Sequence, residues 1–296
     1  MVTEKARRVR RLIERLKPVT NSLSVPLERL GQDVLGKVRP VPEGISFVEA
    51  NVGEMPAEWV LHARAPAGKA LFYVHGGAYF SGSLVSNRLL SVQIASTVEV
   101  NTFSFQYRLA PEYPFPAALE DSETAYSRLL ESYDSKDVVF IGESAGGGLL
   151  VALALKLRDE GRPLPAGMVC MSPWTDLTLS GKSYETNIDA DIMLTRDKLA
   201  RAAWEYAPLD PANPYVSPAF GAMHDMPPTL IQVGSCELLL DDARMLSDAM
   251  ADADVDVRLE EWGEMWHAWQ ALDIPEAYRA MRSVKDFVDA RLGRGE

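Results

Sequence analysis

Residues 137–161 read DVVFIGESAGGGLLVALALKLRDEG. Val138, Val139, Phe140 and Ile141 form a short uncharged run, β-branched and aromatic, of the kind that fills a fully buried strand. A glycine-rich pentapeptide follows, Gly142-Glu143-Ser144-Ala145-Gly146. From Gly147 onward, Leu, Val and Ala dominate a stretch that reads as a buried helix closed by Gly161. A G-x-S-x-G placed between a strand and a helix forces the serine into a sharp turn and lifts its hydroxyl above the carboxyl end of a sheet. The small neighbours let strand and helix pack without collision.

Working outward, the same rhythm repeats on both sides. Upstream, ISFVEANV and AEWVLHARA alternate in the manner of antiparallel strands, with Gly53 and Pro56 marking the turn between them. ALFYVHGG reads as a buried strand ending in a glycine pair, NTFSFQYRL as another strand, and EDSETAYSRLLES as a helix. Downstream, AGMVCMSP, PPTLIQVGS and VDVRLEEW read as strands, DDARMLSDAMADA as a helix, and a terminal helix begins near Ile274. Strands alternating with helices imply an α/β fold with a mostly parallel central sheet and helices on both faces. Residues 180–216 break the rhythm: they show no strand and carry Pro208, Pro211 and Pro214, so they read as a helical insertion. Val9, Leu12, Ile13 and Leu16 recur at helical spacing within residues 4–17, an amphipathic helix that must lie on something.

The chain has 296 residues, 47% hydrophobic and 24% charged, the composition of a globular protein with a large core. Its 30 Lys and Arg against 42 Asp and Glu give a net charge of −12, which argues against nucleic acid or an anionic membrane surface as the main partner. The amino-terminal stretch is charged from the start, unlike a secretory signal, and the longest apolar run, Ala145 to Leu155, is too short to span a bilayer. Stable membrane insertion is not expected, and the cytoplasm is the expected compartment. Two cysteines, Cys170 and Cys236, provide neither a disulfide framework nor a zinc site, and read as buried thiols.

Ser144 needs a base, and the base needs an orienting acid. Of the four histidines, His62 lies in an early strand, His75 in the loop after ALFYV, and His224 ahead of PTLIQV at the wrong edge. His267 follows the last strand and falls at the carboxyl edge, beside Ser144. The acid should leave the preceding strand within Ser235–Asp242. Glu237 is three residues past the strand end and is the first choice. Asp241 is the alternative, although it and Asp242 suit the positive end of the following helix. His75-Gly76-Gly77 can present backbone N–H groups to an oxyanion, so Gly76 and Gly77, with the N–H of Ala145, are the expected donors. His75 itself is expected to orient that loop rather than to carry protons.

Taken together, HGGAYFSGS, YRLAPEYPFPAALED, GESAGGGL, SPWTDLT, PYVSPAF with PPTLIQVGS, and ELLLDDA with MWHAWQ resemble the bacterial esterases of the hormone-sensitive-lipase family. The resemblance spans about residues 70–270. It implies an α/β-hydrolase fold in one domain over 1–296, with cap elements at about 1–41 and 180–216. It also implies hydrolysis of carboxylic esters of short or medium acyl chain, without metal or cofactor, and a homodimer through the edge formed by VDVRLEEW and its neighbouring helix. Two departures stand out. Many members carry Asp where this chain has Glu143 and Glu237, and Ala78 replaces the third glycine of the oxyanion motif in some members. Alternatives on the same triad are a lactone or an O- or N-acetyl group as the bond cleaved; a non-catalytic small-molecule receptor is the reading from another class. The cap is expected to set specificity, with Leu23, Val25, Leu27, Met193, Leu199 and Trp204 as candidate pocket residues.

Overall fold

A computed structural model describes residues 2–21, 24–37 and 41–294; Leu23 lies outside the described residues. Eight strands form one sheet in the order β1-β2-β4-β3-β5-β6-β7-β8. Their ranges are β1 Ile45–Val52, β2 Met55–His62, β3 Ala70–Val74, β4 Thr102–Phe105, β5 Val138–Glu143, β6 Gly167–Met171, β7 Thr229–Gly234 and β8 Val257–Trp262. The first two pairings are antiparallel and the rest parallel, so the sheet is mostly parallel as its alternation with helices requires.

Alternate residues of the central strands feed two different cores. Leu71, Tyr73, Val139, Ile141, Val169 and Met171 face α3 (Arg88–Val98) and α9 (Pro275–Arg291). Phe72, Val74, Phe140, Met168 and Cys170 face the layer holding α4 (Ala117–Leu129), α5 (Ala145–Asp159) and α8 (Leu240–Asp252). The period-2 alternation of side chains is what lets every central strand be buried on both faces.

α3 has no counterpart in the sequence reading. Its buried Leu90, Ile94 and Val98 fall at i, i+4 and i+8, but Ser, Thr and β-branched residues between them weaken the helical signal. The turn between β1 and β2 is Gly53-Glu54 alone, and Pro56 lies inside β2 opposite Asn51. Residues 180–216 contain α6 (Ser183–Thr186) and α7 (Arg196–Tyr206) and no strand.

The amino-terminal segment contributes α1 (Glu4–Asn21) and α2 (Val25–Lys37). Val9 and Ile13 of α1 pack on the cluster around Met265 and Trp266. Arg29 of α2 donates to the carbonyls of Phe80 and Ala110 and pairs with Glu112. α7 packs into the main core through Leu199, Ala202 and Tyr206, and Tyr206 stacks on Tyr79 at 3.8 Å between ring centroids. Leu199 is thus buried in the core, while Leu27, Met193 and Trp204 are exposed, Trp204 to 68%. Among the described residues no helix is long and apolar enough to cross a membrane.

Candidate active site

Ser144 sits between β5 and α5 with φ 56° and ψ −127°. A non-glycine residue held there stores about 1–3 kcal/mol of backbone strain, so the surroundings must over-determine the turn. They do so through the backbone. Ser144 N–H donates to Met171 O at 2.9 Å, and Ser144 O accepts from the N–H groups of Gly147, Gly148 and Trp174 at 3.0, 3.2 and 2.9 Å. A side chain at Gly146 would place its Cβ 2.2 Å from Val74 O, so the helix can approach β3 this closely only with glycine there.

β7 and β8 bring two further loops to the same edge. His267 Nε2 lies 3.0 Å from Ser144 Oγ, and His267 Nδ1 lies 2.9 Å from Glu237 Oε2. With the proton on Nδ1, the imidazole donates to Glu237 and accepts from the Ser144 hydroxyl. Glu237 is fully buried, and its Oε1 accepts from Gly234 N–H at 2.6 Å and from Ser172 Oγ at 2.8 Å. Burial pushes the Glu237 carboxyl above the usual carboxylate range, and the bonds from His267 and Gly234 offset part of that rise. Burial pulls the His267 pKa down, but the bond to Glu237 and the charges of Glu237, Asp191 and Glu143 outweigh it, leaving His267 above its ordinary 6.5.

Ser144, Glu237 and His267 are therefore brought together, and Asp241 is not. Asp241 Oδ2 accepts from Ser183 N–H at 2.9 Å and Oδ1 pairs with Arg244 at 3.2 Å, at the start of α8.

The glycine loop differs from the sequence expectation at one position. Gly76 N–H donates to Glu143 Oε1 at 2.7 Å, so it is already occupied, and Glu143 Oε2 accepts from Tyr73 Oη at 2.8 Å. The N–H groups of Gly77, Ala78 and Ala145 find no acceptor among the described residues. Ala145 opens α5, where the first N–H groups have no intrahelical partner. Of the expected donors, the Gly76 N–H is thus taken up by the carboxylate next to the serine, while the neighbouring Ala78 N–H stands open. Gly77 has φ 115° and a Cβ there would lie 2.2 Å from Ser81 O, whereas Ala78 accepts φ 52° with its methyl in place.

His75 is buried, donates from Nδ1 to Gly76 O at 2.7 Å and stacks on Tyr107 at 4.2 Å. Tyr107 Oη donates to His75 O at 2.9 Å. Burial lowers the His75 pKa to about 4, so the ring is neutral at pH 7 and acts as part of the loop's frame. His62 ends β2 and His224 is exposed, both outside this cluster. Cys170 is buried with its thiol pushed up to about 12 by burial; Cys236 is only half buried, with Arg10 Nη1 3.6 Å from its sulfur.

Two roles in the site are not marked in the sequence, those of Ser172 and of Glu143. Ser172 supports Glu237 and accepts from Ala268 N–H at 3.3 Å, joining both loops. The available signal was its place just past a strand that neighbours the serine strand. Glu143 is the other: burial raises its carboxyl to about 7, against bonds from Gly76 and Tyr73 that favour the charged form.

Comparison with known proteins agrees with this architecture. A family model described as alpha/beta hydrolase fold matches residues 71–271. An acetyl-hydrolase from Streptomyces hygroscopicus is 44% identical over 248 residues, covering 82% of this chain and 83% of that protein. An esterase from Acinetobacter venetianus is 36% identical over 232 residues, covering 77% of each. A crystal structure of an esterase from the bacterial hormone-sensitive lipase family superposes with a TM-score of 0.94 at 34% identity, covering 99% of both chains. The chain belongs to the α/β-hydrolase family, in its bacterial hormone-sensitive-lipase branch.

Proposed function

We propose that the protein hydrolyses small carboxylic esters through an acyl-enzyme on Ser144, with acetyl and other short acyl groups preferred. The observation that carries this reading is the unbroken hydrogen-bonded chain from Ser144 Oγ through His267 to Glu237, next to three unengaged backbone N–H groups.

In that mechanism His267 Nε2 takes the Ser144 proton as Oγ bonds to the ester carbonyl carbon, and Glu237 stabilises the resulting imidazolium. Negative charge gathers on the carbonyl oxygen and is met by the N–H groups of Gly77, Ala78 and Ala145; each such donor is worth about 10²–10³ in rate. The C–O bond to the alcohol then breaks, with His267 returning the proton to the leaving oxygen. Water, deprotonated by the same His267, adds to the acyl carbon and releases the acid and free Ser144. Every proton and bond is accounted for by these residues and water.

Turnover of p-nitrophenyl esters from acetate to dodecanoate tests the acyl preference: kcat/KM should be highest at the short end, and a maximum at dodecanoate would overturn it. A second reading is favoured by the acetyl-hydrolase at 44% identity: the physiological bond is an acetyl group on a larger alcohol or amine. Acetate release from small acetate esters, set against bulky O-acetyl and N-acetyl compounds, distinguishes the two.

We read α1, α2 and residues 180–216 as a cap on a single domain. Removing the first thirty residues should then depress turnover of bulky esters more than of p-nitrophenyl acetate. β8 ends the sheet, and its outer edge offers unpaired backbone groups to a second copy, so we propose a homodimer through β8, to be tested by light scattering. The two unpaired cysteines suit a reducing cytoplasm as the working compartment.

A further inference from the structure

The loop that carries Glu237 is bonded at Ser235 and Cys236 to Trp262 and Met265, and it is held on its other side by the inserted segment after β6. Asn187 Nδ2 donates to Ser235 O at 3.1 Å and to Glu237 O at 2.7 Å, gripping the carbonyl of the acid residue itself. Asp191 Oδ2 accepts from Leu238 N–H at 2.9 Å. Ser183 Oγ donates to Leu238 O at 2.5 Å and accepts from Asp241 N–H at 3.1 Å. These three residues stand four apart in sequence. Asn187 N–H donates to Ser183 O at 3.0 Å and Asp191 N–H to Asn187 O at 2.9 Å, bonds of helical span that place the three side chains in one row. The row spans the backbone from Ser235 to Asp241.

The row is itself tied to the amino-terminal helix. Arg10 donates to Ala190 O at 3.0 Å and Lys17 to Asp191 O at 2.5 Å. Asp191 spends its other oxygen on the N–H groups of Met193 and Leu194, at 2.8 and 2.9 Å, which fixes the carboxylate from behind. Asp191 and Ser183 are buried, so the bonds of these two side chains do not compete with bulk water on equal terms.

We propose that Ser183, Asn187 and Asp191 are positioning residues for Glu237, so that the inserted segment, and α1 through it, sets the orientation of the triad acid. This rests on the reading of Glu237 as the residue that orients His267. It gives the insertion a role in the chemistry besides covering the pocket: anything that shifts residues 183–191 shifts the acid. A displacement of about 1 Å at a catalytic group is enough to cost on the order of 100-fold in rate.

The test is Asn187→Ala, made in the full chain and again in a Glu237→Gln background. The readouts are kcat and KM for p-nitrophenyl acetate, the pH profile of kcat/KM, and the low-field proton resonance of His267 Nδ1. The groups facing His267 that could move its titration are Glu237, Asp191 and Glu143, and Asn187→Ala leaves all three carboxylates in place. The expected result is a kcat lowered by about 10- to 100-fold. KM should change by less than about twofold, the acid limb of kcat/KM should move to lower pH, and the Nδ1 proton should shift upfield. In the Glu237→Gln background Asn187→Ala should add nothing, because its effect passes through the acid. A wild-type kcat and Nδ1 resonance in Asn187→Ala, or a full additive loss in the Glu237→Gln background, overturns the proposal. Should Asn187→Ala not fold, Ser183→Ala serves, with a smaller change in the same direction expected and an unchanged resonance overturning it. The resonance is read without turnover: a wild type inert toward every ester would refute the hydrolase reading, and the clamp would still be judged by the proton.

Discussion

The serine turn and the acid loop meet at one histidine, yet they are built in opposite ways. The turn is compact: Gly147 and Gly148, close by in sequence, and Met171 and Trp174 from the end of the adjacent strand satisfy its backbone and enforce its strain. The acid loop has local bonds at Gly234 and Leu240, but its other ties come from afar, from Trp262 and Met265, from Ser172, Ser183, Asn187 and Asp191 and, behind them, from Arg10 and Lys17 of α1. Such a turn is rigid as soon as β5, α5 and the end of β6 are in place. A loop held by long-range polar contacts takes its final geometry only when the whole domain has closed, and it can be perturbed from many places.

The comparison predicts how the two regions fail. Ser144→Ala removes the atom that bonds to substrate, and turnover of p-nitrophenyl acetate should drop by at least about 10⁴-fold. Glu237→Gln leaves the fold intact but deprives the imidazole of its anchor and charge, so kcat should fall by about 10²- to 10⁴-fold. Asp241→Asn, whose side chain serves the start of α8, should cost less than about tenfold. A larger loss from Asp241→Asn than from Glu237→Gln would reverse the assignment of the acid.

A smaller and more selective effect is expected at Glu143. Its folded-state pKa of about 7 lies above the unfolded value of 4.5. Its contribution to stability is therefore fully present below pH 4.5 and is lost as pH rises through about 7. Glu143→Gln can still accept from Gly76 N–H and donate to Tyr73, so it should raise Tm at pH 8.5 and change it less at pH 5. The same substitution withdraws a negative charge that favours the His267 imidazolium, so kcat should decrease and the acid limb of kcat/KM should move down in pH. Equal Tm shifts at both pH values would contradict this account of the buried carboxylate.

The smallest effect belongs to the outermost support of the acid loop. Arg10→Ala removes partly exposed bonds to Ala190 O, Glu264 O, Cys236 Sγ and Glu14, and should lower kcat by less than about fivefold, in keeping with the ~1 kcal/mol ceiling for such contacts. A loss as large as that of Glu237→Gln would mean that α1 does far more than brace the insertion.

The same contrast explains what could be read from the amino-acid order. The elbow, the parallel sheet and His267 were legible because each depends on residues close in sequence or on which edge a strand ends. Glu237 was legible as a position three residues past a strand, although nothing in the order of residues showed what would hold it there. Asn187 and Asp191 gave no signal, since ordinary polar residues in a helical insertion carry no mark of the backbone they will grip. Of the expected oxyanion donors, Gly76 proves to have its N–H engaged. Glycine was expected to supply both loop N–H groups, but the reach of Glu143 to Gly76 decides which are free, and Ala78 tolerates a left-handed φ that favours glycine. α2 was hidden by Pro26, Gly31 and Gly36, which depress helix propensity; packing of the helix against the oxyanion loop overrides them.

The central claim is that Ser144 forms the covalent intermediate with His267 as its base. The most direct measurement is mass spectrometry of the protein after treatment with diethyl p-nitrophenyl phosphate, followed by peptide mapping and residual ester turnover. The account predicts one diethylphosphoryl group per chain, located on Ser144, with turnover abolished in proportion to labelling, and no label in Ser144→Ala. A label on another residue, or ester turnover surviving complete labelling of Ser144, would contradict it.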